Sequence, residues 1–370
     1  MRLLVLGAGP PQLGVLAAAR RRDLSVVAVD RDPSAPGFRH ADRRAIVSIE
    51  DEPAIDRLAR AEQIDGVIAP GTDHAVAIAA RIAERLGLPH PLSPETAVLA
   101  VSKPRQREQF AAAGIAQPRS SVHASAEEAA DAAAALGAGA VVVGDGERWL
   151  VEERSDFRLL TVSGFVLDGE LVPLTVTDRE QADPPAFGVA LGHLWPADAD
   201  QAVIDTTARA VAALGISHGP VIAQLLISPD GPLVAKVSAR TGGGHEAELG
   251  RLAVGVDQNA LAIRTVLGEP VDRRDLDPAM RAGGACVRFL LAPPGELHEI
   301  EGVDEAMSVT GVRAVHVYRD TGHVFGLLRR ASDRAGAIVA AAATRGEAVA
   351  AAEQAADRIR FVTAPVEAVA

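Results

Sequence analysis

The stretch GPLVAKVSARTGGGH, Gly231–His245, brings two cations, a serine, three consecutive glycines and a histidine together. Side chains alternate along a strand. Leu233, Ala235, Val237 and Ala239 are therefore expected on one apolar face, and Lys236, Ser238 and Arg240 on the other. Two cations on one strand face, running into Gly242, Gly243, Gly244 and His245, have the makings of an anion-binding wall. Asp230–Gly231 reads as a tight turn between VIAQLLIS and PLVAKVSAR. A turn centred on Asp230 sets Gln224 opposite Lys236 on that same face. Hard divalent cations take oxygen ligands. An amide facing an ammonium is no such set, so no metal is expected there. The competing reading of this face is a solvated polar surface.

These residues need a scaffold, and the chain spells one. RLLVLGAG, SVVAVDRD and DGVIAPG read as buried strands. They alternate with helices in PPQLGVLAAARRR, EPAIDRLARAEQ and DHAVAIAARIAERLG, a parallel doubly wound pattern. LPHPLSP punctuates the chain near 90–102. A helix is expected from 103 to Gly114. A second, SAEEAADAAAAL, carries Ser125 and Glu128 at capping-box spacing. AVVVGDGERWLVEE reads as a hairpin. LLTVSGFVLDGELVPLTVT and VIAQLLISPDGPLVAKVSAR are further strands, with the helix QAVIDTTARAVAALG between them. VDQNALAIRTVLG closes the middle region. Strands in GACVRFLLAP, VRAVHVYRD and HVFGLLRR precede a helix over RGEAVAAAEQAADRIRF.

Composition narrows the function. The chain has 370 residues, a formal net charge of −12 and 3% aromatics, so its cores are aliphatic and a nucleic-acid partner is disfavoured. The only lysines are Lys103 and Lys236. Cys286 is alone, which excludes an internal disulfide and fits a cytoplasmic protein. No apolar run reaches the roughly 20 residues of a membrane helix. LGAGPPQLG followed by Asp30 looks in part like a dinucleotide turn, but Gln12 stands where the third glycine belongs. A tight strand-to-helix turn is the better reading.

In chain order, four sets of segments resemble ATP-grasp proteins of the carboxylate–amine ligase type, a group that includes biotin carboxylase and amino-acid ligases. The first set is LLVLGAGPPQLG and VVAVDRDPSAPGFRHADR. The second is GVIAPGTDHAV and LGLPHPLSPETAVLAVSKPRQREQFAAAGIAQPR. ALGHLWPA, GPLVAKVSARTGGGH and GVDQNALAIRTVLGEPV form the third. GGACVRFLLAPPGELHEIEGVDEA and SDRAGAIVAAAATRGEAVAAAEQAADRIRF form the last. The resemblance spans nearly the whole chain. It implies an α/β and α+β multidomain ATP-grasp fold. A Rossmann-like domain would cover 1–100, a reduced lid subdomain 101–150, a large subdomain 151–270 and a C-terminal α+β domain 271–370. A homodimer is implied as well.

The family makes an acyl phosphate from a carboxylate and ATP, which an amine then attacks. By resemblance, Lys103 matches a lysine that contacts the nucleotide phosphates. Glu152 and Glu153 match the hinge pair where adenine sits. Arg240, Gly242, Gly243, Gly244, His245, His193 and Arg288 match retained substrate-side positions. The departures fall on the nucleotide side. Val143 and Gly144 replace a Lys-Pro pair, the covering glycine-rich loop is missing, and Leu159 replaces an acid near the ribose. The two magnesium carboxylates map onto Gln224 and Lys236, and an asparagine maps onto Ser238. Phosphoryl transfer rests on positioning and charge stabilisation. One lost preorganised contact costs about 3 kcal/mol, so these losses together leave little ATP-driven rate.

The expectation is a divergent homologue that uses neither ATP nor metal. It would be a pseudoenzyme or a nucleotide-independent enzyme acting on a small carboxylate or amino-acid-derived substrate. Lys236 would be a cation in a metal's place and a candidate base. Arg240, His245 and His193 would act beside it. Arg240, Gly242–Gly244, His245, Arg288, Ser238 and Gln224 would bind substrate, and Lys103, Glu152 and Glu153 would mark a vestigial nucleotide site. Two alternatives stay open: a working ligase using ATP and Mg²⁺, and a non-catalytic partner subunit of such a ligase. In a dead site Lys236 would simply pair with Glu152, Glu153 or Glu246.

Overall fold

The computed structural model describes residues 1–136, 140–144, 147–183, 186 and 188–365. Its N-terminal part comprises β1 (Arg2–Leu6), α1 (Leu13–Arg21), β2 (Ser25–Asp30), β3 (Arg43–Ile46), α2 (Glu52–Glu62), β4 (Gly66–Ile68) and α3 (Asp73–Leu86). The strands form a parallel sheet of order β3-β2-β1-β4. Its central strands are continuous apolar runs because helices cover both faces. The edge strand β3 carries two exposed arginines and no alternation, so its pattern does not announce it. The PPQ turn is a short 3-10 segment before α1. Two serine-capped helices follow, α4 (Pro94–Val101) and α5 (Lys103–Ala112).

A small three-stranded sheet follows, built from β5 (Ser120–His123), β6 (Ala140–Gly144) and β7 (Trp149–Glu153) in the order β5-β7-β6, with α6 (Ala126–Leu136) beside it. β6 and β7 form the expected hairpin, Gly144 facing Trp149. Asp145 and Gly146 of its turn lie outside the described residues.

The largest element is an eight-stranded sheet. It contains β8 (Arg158–Leu167), β9 (Glu170–Gln181), β10 (Ala190–Trp195), β11 (Gly219–Ser228) and β12 (Gly231–Ser238), with α7 (Gln201–Ala213) between β10 and β11. Helices α8 (Glu246–Val254) and α9 (Gln258–Val266) follow. After residue 270 come β13 (Gly284–Leu290), β14 (Gly295–Glu301), α10 (Val303–Met307), β15 (Val312–Val317), β16 (Val324–Phe325), β17 (Gly336–Ala342), α11 (Arg345–Ala356) and β18 (Arg360–Ala364). The sheet order is β12-β11-β8-β9-β10-β13-β17-β15, so one sheet runs unbroken across residue 270 through the β10–β13 pair. β16, β14 and β18 make a separate small sheet. The apolar AGAIVAAAA lies in and around β17, a buried central strand. The final helix ends at Ala356; of RIRF, expected to continue it, Arg358 and Ile359 lie in the link that follows, and Arg360 and Phe361 open β18. No described helix is long and apolar enough to cross a membrane.

The β11–β12 hairpin corrects one expectation and explains another. Ser228 pairs with Gly231 and Leu225 with Val234, but Gln224 pairs with Lys236. Ala235 is therefore the extra residue of a β-bulge. A regular strand from this turn would have put Ala235 opposite Gln224. The bulge also shifts the apolar phase. Val234, Val237 and Ala239 enter the core, whereas Leu233, expected there, stays out of it. Arg107 of α5 holds the bulge, donating to the carbonyls of Val234 at 2.9 Å and Ala235 at 2.6 Å.

Candidate functional site

At the end of β12 the chain turns through Thr241–Gly244 into α8. Beneath this turn lies a cavity of about 210 Å³. Gln224, Lys236, Ser238 and Arg240 form one wall, as the strand face requires, and Gly242–Gly244 form the rim. His193 of β10 and Arg179 of β9 close the far side with Glu246 and Arg334. Pro11 and Gly71 bring the N-terminal domain against it. Gly71 has φ +70°, and a Cβ on Gly243 would stand 3.0 Å from the Gly71 carbonyl, so this approach needs glycine on both sides.

The charges on the first wall are paired in a way no strand pattern reveals. Asp73, the first residue of α3, accepts from Arg240 Nε at 2.7 Å and from the Lys236 ammonium. Lys236 thus bonds neither Glu152, Glu153 nor Glu246. Burial opposes the Asp73 charge, but Arg240 and Lys236 together hold its carboxyl well below the usual carboxylate range. The helix N-terminus favours the same anion. On the far wall burial dominates. Arg179 is pushed down to about 10 and His193 to about 4, so the imidazole is neutral at pH 7. His193 Nε2 lies 3.4 Å from Glu246 Oε1, outside hydrogen-bond geometry, and neither ring nitrogen has a hydrogen-bond partner among the described residues. Arg179 Nε is likewise unpartnered. Glu246 is fixed by the Gly244 amide at 2.6 Å.

The cavity thus gathers Lys236, Arg240, His193, Gln224, Ser238 and the three glycines. His245 is not among its lining residues. Its ring turns away to Tyr318, Glu248 and His316. Arg288 is also elsewhere, held by Glu180 at 2.5 Å and Glu353 at 2.8 Å. Glu152 and Glu153 alternate on β7, so their side chains point to opposite faces. Glu152 is buried between Arg107, at 2.6 Å, and Lys103. Glu153 points outward to Arg119 at 2.7 Å. Asp73, Arg179, Glu246 and Arg334 are site residues that strand periodicity could not assign. Asp73 joins from the start of α3, Arg179 from β9 and Arg334 from the loop just before β17, all distant in sequence from β12. The partial dinucleotide turn is plugged by Gln12, whose amide donates to Pro70 O at 2.6 Å, and Asp30 accepts the Ala8 amide at 2.9 Å.

Residues 288–364 match the family model "L-amino acid ligase C-terminal domain 2". The crystal structure of L-amino acid ligase from Bacillus licheniformis superposes with a TM-score of 0.80 at 19% identity, covering 98% of both chains. Phosphoribosylglycinamide synthetase from Anaerococcus prevotii gives a TM-score of 0.80 at 18% identity, covering 98% of this chain and 99% of that one. The chain has the ATP-grasp fold. In sequence it is 28% identical to formate-dependent phosphoribosylglycinamide formyltransferase of Burkholderia lata, covering 98% of this chain and 96% of that one. It is 26% identical to an uncharacterized protein of Sinorhizobium fredii over 94% of this chain and 80% of that one.

An ATP-grasp ligase needs Mg²⁺ with its nucleotide, and the side chains here can be tested for that fit. The β11–β12 pair offers an amide and an ammonium in register. Asp73, the nearest acid to Lys236, is already engaged by two cations. Among the described residues lining the cavity, Glu246 carries the only carboxylate, and a backbone amide holds it across from His193. This donor set does not fit a hard divalent ion. The cavity is also below the roughly 300–1,000 Å³ of pockets for drug-sized ligands.

Proposed function

We propose that this ATP-grasp protein binds a small carboxylate or amino-acid-derived molecule between Lys236–Arg240 and Arg179–Arg334, and does so without Mg-ATP. The observation that carries this reading is the in-register Gln224–Lys236 pair, with an ammonium where the fold's metal chemistry needs acids. Four cations line a cavity of small-metabolite size. Arginine forks suit a carboxylate. Glu246 supplies a counter-charge for a ligand ammonium, and neutral His193 has a free nitrogen to donate or accept. Lys236 serves as the fixed cation beside the ligand carboxylate. A homodimer accompanies this reading and is checked by sedimentation.

The comparisons favour a second reading, a working ATP-dependent carboxylate–amine ligase. The named relatives of known activity are a ligase, a synthetase and a formyltransferase, and Lys103, Glu152 and Arg240 are in place. Melting curves against a panel of amino acids and small carboxylates separate the two. On the first reading a carboxylate raises the melting temperature with no nucleotide present, and Lys236→Met abolishes the shift. ADP release from Mg-ATP in the presence of that panel would establish the second reading instead.

A further inference from the structure

We infer that His245, Glu248 and His316 form a binding site for a borderline divalent transition ion, with Zn²⁺ the best match, on the side of α8 away from the cleft. The inference does not depend on the proposed function. One ligand atom from each residue lies within 4.8 Å of the others. His245 Nδ1 is 3.1 Å and His316 Nε2 2.9 Å from the same carboxylate oxygen, Glu248 Oε2. Zinc bonds of about 2.1 Å in a tetrahedron place donors about 3.4 Å apart. The present spacing is close to that edge. The two rings stack with centroids 4.4 Å apart, so the half-exposed His316 must tilt to aim its lone pair at a shared ion.

Three features distinguish this cluster from a chance meeting of polar groups. First, His245 sits at φ +63°, in the left-handed region uncommon for non-glycine residues, and its ring is buried. That backbone directs the ring over Glu248, which lies one helical turn along α8. Second, His245 Nε2 is 2.7 Å from the buried Tyr318 hydroxyl. A hydroxyl can donate or accept. When Nδ1 binds a metal, the ring proton moves to Nε2 and donates to Tyr318 O, so the outer partner serves both states. Third, the ligands come from separate elements, with His245 before α8, Glu248 within it and His316 on β15, while Glu248 and His316 remain partly exposed as an entry path. Two imidazoles and one carboxylate select zinc-like ions over Mg²⁺ or Ca²⁺, which want oxygen.

The test uses the full chain stripped of metal with EDTA. The site predicts uptake of one equivalent of Zn²⁺ in competition with a chromophoric chelator, and a visible ligand-field band with Co²⁺. Zn²⁺, but not Mg²⁺, raises the melting temperature. His316→Ala and the near-isosteric Glu248→Gln each weaken uptake at least tenfold, with near-UV circular dichroism unchanged. Tyr318→Phe weakens it about tenfold, and His298→Ala, at an exposed histidine elsewhere, leaves it unaltered. No saturable uptake by the wild type, or equal uptake by wild type and Glu248→Gln, overturns the site.

Discussion

Asp73 decides what β12 can do. Its carboxylate joins the N-terminal domain to both cations of β12, so Lys236 and Arg240 are fixed in place without being discharged into solvent. Asp73→Asn leaves two partly buried cations short of a partner. It should cost about 1–3 kcal/mol, below the range for a fully buried pair because these side chains retain some exposure, and chemical denaturation at pH 7 reads it. The pH sign follows from the lowered acid. Its contribution is complete above about pH 4, the unfolded value, and disappears as pH falls through the lower folded value. His193 works in a different window. Its folded value is depressed to about 4 while the unfolded imidazole titrates near 6.5, so the unfolded chain gains a proton first as pH drops. Stability should decline from about pH 6.5 to about pH 4 by up to ~1.4 kcal/mol per pH unit. His193→Gln should flatten that slope in urea midpoints measured at pH 7 and pH 5. His90 and His245 are lowered by burial as well, so the difference between wild type and variant is the quantity to compare.

At the scale of elements, the bulge at Ala235 separates what the sequence could say from what it could not. Period two correctly grouped Lys236, Ser238 and Arg240, because that half of β12 is regular. It failed at Leu233, because a bulge leaves no mark in the residue pattern. Here a tertiary contact holds it, the Arg107 guanidinium on two carbonyls. A turn centred on Asp230 gives the Gln224–Lys236 pairing. It holds in the structure because the bulge adds the residue that the two-residue turn leaves out. Val234→Ala should therefore cost about 2 kcal/mol and Leu233→Ala under about 1 kcal/mol. Equal costs would mean a regular strand. Arg107→Met removes the bulge clamp together with a partner of buried Glu152, and should cost about 3–5 kcal/mol by thermal or urea unfolding. His245 shows a similar limit. Its neighbourhood in sequence placed it at the cleft, but its left-handed backbone turns the ring to the other side of α8.

Over the whole molecule, the parallel N-terminal domain and the order of segments were legible, because long apolar runs and capped helices report local structure. The edge strands β3 and β5 were not, being short and exposed. Nor was the union of the middle and C-terminal regions in one eight-stranded sheet, which depends on pairing between β10 and β13. The cleft sits where that sheet, α8 and the N-terminal region meet, so Arg179, Glu246 and Arg334, three of its five charged lining residues, lie outside Gly231–His245. Ligand binding should tighten this junction and slow hydrogen exchange at Gly71 and Gly243 together. The most direct test of the central claim is calorimetric titration of the whole chain with Mg-ATP. The proposed nucleotide-free cleft predicts no heat of binding at millimolar nucleotide, and gain of Mg-ATP binding in the double variant Gln224→Glu, Lys236→Glu. Saturable Mg-ATP binding by the wild type would contradict it.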